Sequence, residues 1–284
     1  MKNFGFHISL NNLTEPKELG YNTAQLFSKS PKKISGTSSF NTIERQILTN
    51  ITNVYTHGQY VLNITKLNLD GTLNKMYIKS IVDELIFLKS IKGKGVIIHA
   101  GSSKESMNTI CKNVCTYLLN IIKEKDFPMI FIENRAAAGN IVFKSVDELL
   151  FLERWIVYNE LNTQVGYCFD TCHDFVSNYI EVHDKIGKMW YPKKNGNDRK
   201  RIDHNLQRLI DVIDSKRLVV HLNDSVNYTS DKHANLFTGV IPEDELIGVI
   251  KLCIKHKMPC IIERINATIE EKKKMIKLVS TLIQ

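Results

Sequence analysis

Short, continuous apolar runs recur along the chain in the order FGFHIS, AQLFS, NVYTH, VIIHA, MIFIEN, VGYCFD, LVVHLND and CIIER. An unbroken apolar run of about five residues fits a strand buried on both faces, because a strand with one wet face alternates instead. Long amphipathic stretches separate several of these runs. Leu73 to Lys92 carries Met76, Tyr77, Ile81, Leu85 and Leu88 at helical spacing and stops at Gly93. Ser145 with Glu148 predicts a capping box before LLFLERWIVY. Thr268 with Glu271 predicts another before a last helix striped by Met275, Ile276, Val279, Leu282 and Ile283. Strand and helix thus alternate to the end of the chain, which predicts a (β/α)8 TIM barrel, a single α/β domain over residues 1–284, in preference to an open doubly wound sheet.

Two segments interrupt the alternation. Residues 20–40 contain the polar stretch KSPKKISGTSS, and residues 183–205 set Trp190 and Tyr191 among lysines and arginines, which predicts a basic insertion loop. The length of 284 residues suits the roughly 250 that such a barrel takes. No apolar run is long enough to cross a membrane and the first residues do not form a signal peptide, so an intracellular protein without membrane contact is expected. Neither a G-x-G-x-x-G nor a P-loop is present, which leaves a nucleotide cofactor without support. The six cysteines at 111, 115, 168, 172, 253 and 260 form no C-x-x-C pair; Cys111 and Cys115, one helical turn apart, are read as core residues, and Cys168 and Cys172 as small residues of a strand and the turn after it, with a redox-sensitive thiol at Cys172 as the alternative. A net charge of +8 is compatible with a polyanionic partner.

Metal-ligand side chains fall at the ends of the runs: His57 after NVYT, His99 after VII, Glu133 after IFI, Asp170 after YCF, His221 after LVV and Glu263 after CII. A parallel barrel gathers strand ends at one mouth, so these six should converge. His173 follows Asp170 by three positions, and Asp231 and His233 stand two apart in SDKH. Crowded imidazoles and carboxylates are costly to bury unless they are hydrogen-bonded or coordinated, and oxygen with nitrogen donors suits zinc or manganese. The number of donors exceeds what one four-coordinate ion needs, which predicts a multinuclear centre. His7, at the end of the first strand, should border it.

With those residues in place, the sequence resembles the endonuclease IV family of apurinic/apyrimidinic endonucleases. The likeness rests on GFHIS, AQLFSKSP, THGQYVLN, IHAGS, IENRAAAG, VGYCFDTCH, VHLNDS, DKH and IIER in order. It implies three zinc ions, with manganese admissible at one site: the first held by His57, His99 and Glu133, the second by Glu133, Asp170, His221 and Glu263, the third by His173, Asp231 and His233. It implies double-stranded DNA with abasic sites as partner, a monomer, and hydrolysis 5′ to the abasic sugar to leave a 3′-hydroxyl. Glu263 and Glu133 become the candidate catalytic residues. Tyr60 and Val61 take the positions that wedge into the duplex, and Lys32 that of a basic recognition residue. Apart from the resemblance, the basic loop with Lys193, Lys194, Arg199 and Lys200 has two open readings, contact with phosphates or a solvated insertion.

Two departures stand out. Many members read E-N-T-A-G where this chain has Glu133, Asn134, Arg135, Ala136 and Ala137, and many have glycine where Phe237 stands; divergent virus-encoded members look similar at Phe237 and at Glu263 with Arg264. Two rivals keep their place: a sugar-isomerase-like barrel using two divalent metals, and a damaged-DNA-binding protein without turnover.

Overall fold

The computed structural model describes residues 3–34, 36, 40–122, 126–184, 187–192, 200–264 and 266–282. Its strands are β1 (Phe4–His7), β2 (Thr23–Leu26), β3 (Asn53–His57), β4 (Gly95–His99), β5 (Met129–Glu133), β6 (Val165–Asp170), β7 (Tyr179–Asp184), β8 (Gly187–Pro192), β9 (Leu218–His221), β10 (Asp224–Ser225), β11 (His233–Ala234) and β12 (Cys260–Ile262). Eight of them close a barrel in the order β1-β12-β9-β6-β5-β4-β3-β2, and every pairing in it is parallel. They are the eight apolar runs of the sequence, and a helix follows each one, as a parallel crossover requires. Among the described residues no helix is long and apolar enough to cross a membrane.

The barrel axis is filled by Tyr55, Ile97, Phe131, Cys168, Val219 and Ile261, one from each of six strands. Phe131 is the widest apolar group at its level, and its neighbours make way for it. A Cβ at Gly95 would stand 2.6 Å from the Phe131 ring and one at Gly166 2.9 Å from it, so glycine on both adjacent strands lets the ring lie flat in the interior. The larger core lies between sheet and helices, where Cys111 and Cys115 are buried as expected.

The seam of the barrel lies between the chain's first and last helices. Lys272, on Ile269–Thr281, reaches Glu15, on Glu15–Leu19, with Nζ at 2.7 and 2.8 Å from its two carboxylate oxygens. All of this is buried, and the Tyr21 hydroxyl donates to the same Glu15 carboxylate at 2.6 Å.

Three local expectations need amendment. The helix foreseen from Leu73 runs Lys75–Ser90, capped by Asn74. The box at Thr268 is complete, but at Ser145 only half forms: its side chain accepts from the Glu148 N–H, while Glu148 accepts from the Lys144 N–H instead. The basic loop foreseen over residues 183–205 is in part an antiparallel ribbon, β7 paired with β8, and a helix, Ile202–Ile210, already begins inside it. Its lysines hid the alternation of YIEVHD and the β-forming residues of GKMWYP.

Candidate active site

Strand alternation builds the site. Side chains two positions apart share a face, so each residue just above the inward-facing apolar layer also faces the axis. Tyr55 leads to His57, Ile97 to His99, Phe131 to Glu133, Cys168 to Asp170, Val219 to His221 and Ile261 to Glu263. On the two remaining strands the same register carries His7 and Gln25. Eight strands therefore deliver eight polar side chains to one ring at the C-terminal mouth. All are buried except Glu263, whose side chain stays 12% exposed.

Glu133 lies at the centre. Its Oε2 is 3.2 Å from His57 Nε2 and 3.0 Å from His99 Nε2, while Oε1 is 2.9 Å from His221 Nδ1. One carboxylate thus faces two separate groups of donors, the geometry of a bridge. Beside it His221 Nδ1 stands 3.3 Å from Glu263 Oε2 and 3.9 Å from Asp170 Oδ2. The third group sits higher. Asp170 caps the helix Thr171–Ser177 by accepting from the His173 N–H at 2.7 Å, which turns His173 into the mouth. His173 Nε2 meets Asp231 Oδ2 at 3.1 Å, and His233 Nε2 meets Asp231 Oδ1 at 3.2 Å. Potential ligand atoms fall within 4.8 Å of one another in each of three sets: His57, His99 and Glu133; Glu133, Asp170, His221 and Glu263; His173, Asp231 and His233.

The far nitrogens of the rings fix their orientation. His57 Nδ1 lies 2.8 Å from Gly58 O, His173 Nδ1 2.8 Å from Asn134 O, and His221 Nε2 2.7 Å from Gln25 Oε1. Each of these acceptors assigns the proton to that nitrogen and leaves the other lone pair for the centre. His99 gives the clearest sign of fit. Its Nε2 is 3.0 Å from Glu133 Oε2 yet makes no hydrogen bond, because the angle is wrong for one. Two donors aimed past each other at a common third point are what cation coordination needs, and the mixed N and O set suits zinc or manganese.

The electrostatics reflect a buried volume shared by both charge types. Burial drives His99 down to about 4 despite the pull of Glu133. At His221 burial also opposes the charge, but Glu263 and Glu133 outweigh it and hold the ring at about 9. His233 is carried against burial up to about 12, chiefly by the Asp231 carboxylate 3.2 Å from its Nε2. Burial raises Asp170, whereas Glu133 resists its own burial and is held well below the usual carboxylate range by His221 and His99. Protons and divalent cations satisfy the same demand for positive charge here. Cys168 lies against Glu133 and His221, but burial and the nearby carboxylates push its thiol well up, which leaves it an apolar core residue.

The residues expected on DNA divide three ways. Tyr60 is 47% exposed, lies parallel to the His99 ring at 5.5 Å and meets His57 and Phe27 by its edge, so it roofs the first group while facing solvent. Val61 beside it and Lys32 on the neighbouring loop are exposed, and the Tyr60 N–H donates to Pro31 O at 2.9 Å, tying the two loops together. Lys200 is exposed, whereas Lys193, Lys194 and Arg199 lie outside the described residues. Phe237 has φ +63, a left-handed conformation natural to glycine.

Sequence reasoning missed the amides. Gln25 donates to Glu263 Oε1 at 2.7 Å, lies 3.0 Å from His7 Nδ1 and accepts from His221. Asn223 donates to Asp170 Oδ2 at 2.6 Å and accepts the Glu263 N–H at 2.9 Å. Asn134 accepts the Asp170 N–H at 2.7 Å. The signal for Gln25 was present: it occupies in AQLF the inward register that His57 occupies in NVYTH.

A closed parallel barrel whose mouth gathers imidazoles and carboxylates into adjoining donor sets defines an α/β-barrel protein built to take divalent cations. A family model described as xylose isomerase-like TIM barrel matches residues 13–279. The chain belongs to the endonuclease IV family within these barrels. Apurinic-apyrimidinic endonuclease 1 of Saccharomyces cerevisiae is 30% identical over 261 residues, covering 85% of this chain; the chain spans only 65% of the yeast protein's length. Endonuclease IV from Thermus thermophilus superposes with a TM-score of 0.72 at 22% identity, covering 99% of this chain and 98% of that one. A D-tagatose 3-epimerase-like protein does so at 0.70 with 17% identity, covering 100% and 97%. Both likenesses concern the fold, which does not separate a nuclease from a sugar epimerase.

Proposed function

We propose that this protein is a metal-dependent endonuclease that cuts duplex DNA 5′ to an abasic site and leaves a 3′-hydroxyl. The observation that carries the proposal is the division of nine side chains into three donor sets, the first two sharing Glu133. A third set, His173 with Asp231 and His233, goes beyond what a two-metal sugar isomerase requires. The names of the relatives point the same way.

Three zinc ions fit these sets, with manganese admissible at one. Divalent cations held there would supply Lewis acidity and neutralise the negative charge of the phosphate oxygens. The chain's own part is positional. Glu133, fully buried, holds the first two groups at a fixed separation. Glu263 is the ring carboxylate that reaches solvent, and Gln25 and Asn223 fix its oxygens, so it orients the attacking water. Asp231, 41% exposed, places the third group on the side open to substrate. Tyr60 and Val61 fill the gap left in the stack when the abasic sugar turns out of the helix, and Lys32 with the basic segment neutralises backbone phosphate.

The test joins metal analysis of the purified protein to incision of a duplex carrying one tetrahydrofuran residue. Incision on the 5′ side, lost on chelation and restored by zinc, is expected. Incision by fully stripped protein would overturn the mechanism. Ketose epimerisation without incision would put the sugar-isomerase rival in its place, and tight abasic binding by fully loaded protein without incision would mark a damage-binding protein.

A further inference from the structure

Two arginines stand just beyond the ends of barrel strands, Arg135 after β5 and Arg264 after β12. Arg264 is committed to the scaffold. Its Nε donates to Asn235 Oδ1 at 2.9 Å and a terminal nitrogen donates to His233 O at 2.8 Å, which ties the loop bearing His233 to the strand end.

Arg135 has no such commitment. Its Nε is buried without a hydrogen-bond partner, and no carboxylate pairs with its guanidinium, among the described residues. Its backbone, by contrast, is pinned: the N–H donates to Phe143 O at 3.0 Å, and the carbonyl accepts from Ser177 Oγ at 3.2 Å. The same Ser177 oxygen accepts from the Ala137 N–H at 2.9 Å. Arg135 follows Glu133 by two positions, just past the C-terminal end of β5 at the mouth of the barrel. Its charge is felt there by His99 and Tyr60, the stacked pair that roofs the first donor set.

A cation with a pinned backbone and a buried, unmet side-chain N–H, beside a centre that collects cations, is unfavourable unless an anion lies between them. A planar guanidinium fits two oxygens of a phosphate. We propose that Arg135 is an anion receptor at the mouth, taking the non-bridging oxygens of one backbone phosphate of the strand whose abasic sugar enters the site. The proposal rests on the DNA function above. Threonine, which many members of the family carry here, offers a neutral hydroxyl in place of the charged fork, so this chain adds a phosphate contact and holds its substrate at higher salt.

Single-turnover incision of a tetrahydrofuran duplex tests this with wild type, Arg135→Thr and Arg135→Lys across salt concentrations. A second series places one methylphosphonate, a neutral linkage, at each position flanking the lesion. For Arg135→Thr the half-saturating protein concentration should rise about tenfold with the maximal rate within about threefold, and the salt slope should fall by about 0.9. At one linkage methylphosphonate should weaken wild type and leave Arg135→Thr unaffected. Arg135→Lys should recover the salt slope without the full affinity, which also guards against a folding defect in the threonine variant. An unchanged salt slope, or equal sensitivity of both proteins at every linkage, would overturn the proposal while wild-type incision stands. Failure of metal-loaded wild type to incise would instead bring down the nuclease function and this receptor with it.

Discussion

Two layers of the barrel lie on the same strands and the same face, two residues apart. The lower, from Tyr55 to Ile261, is apolar and closely packed around Phe131; the upper, from His57 to Glu263, is polar and organised around Glu133. Backbone geometry cannot distinguish them, because the register that sets one sets the other. What differs is the compensation each needs: dispersion contacts satisfy the lower layer, whereas the upper requires hydrogen bonds and positive charge. The site is thus the barrel's packing pattern carried one step further with different chemistry.

If the layers are distinct in this sense, mutation should damage them separately. Phe131→Ala should cost about 3–5 kcal/mol of stability in chemical denaturation, with metal content per folded chain unchanged. Glu263→Gln should lower the incision rate by about 10²–10³-fold, with binding to abasic duplex and the melting temperature nearly preserved. Wild-type turnover by that variant with its metal retained would refute the role of Glu263. Between the layers in character stand the amides. Gln25→Leu and Asn223→Ala should weaken metal binding by about 10 to 100-fold in competition with a chelator, since each orients ligands without being one. The smallest effect is expected from the basic segment. Neutralising Lys193, Lys194, Arg199 and Lys200 together should flatten the salt dependence of DNA binding by up to about 0.9 for each phosphate no longer neutralised, and an unchanged slope would mark that segment as a solvated insertion.

The sequence showed the upper layer well because a histidine or carboxylate ending an apolar run is conspicuous. His57, His99, Glu133, Asp170, His221 and Glu263 were all legible on that ground, and His173, Asp231 and His233 by their spacing. Gln25 and Asn223 were not, since an amide beside a strand end is ordinary and only its partners, hundreds of residues away in the case of Gln25 and Glu263, give it a task. Local pattern failed where tertiary contacts decide. Ser145 and Thr268 begin the same S/T-x-x-E signature, yet only the second closes its box, because Glu148 finds the Lys144 amide first. Arg135 and Arg264 read alike as charged residues after strands, and only their surroundings separate a strut from an unengaged cation.

The barrel's own closure remains tied to its two extremities. Lys272 and Glu15 are separated by 257 positions in sequence and meet where the ring is sealed. The Glu15 carboxylate therefore waits for a cation made 257 positions later, and until that helix arrives it has, among its described partners, the Tyr21 hydroxyl. Contacts of such sequence separation form slowly. During synthesis the mouth, assembled from all eight strands, can become whole only after β12 at Cys260–Ile262 has emerged.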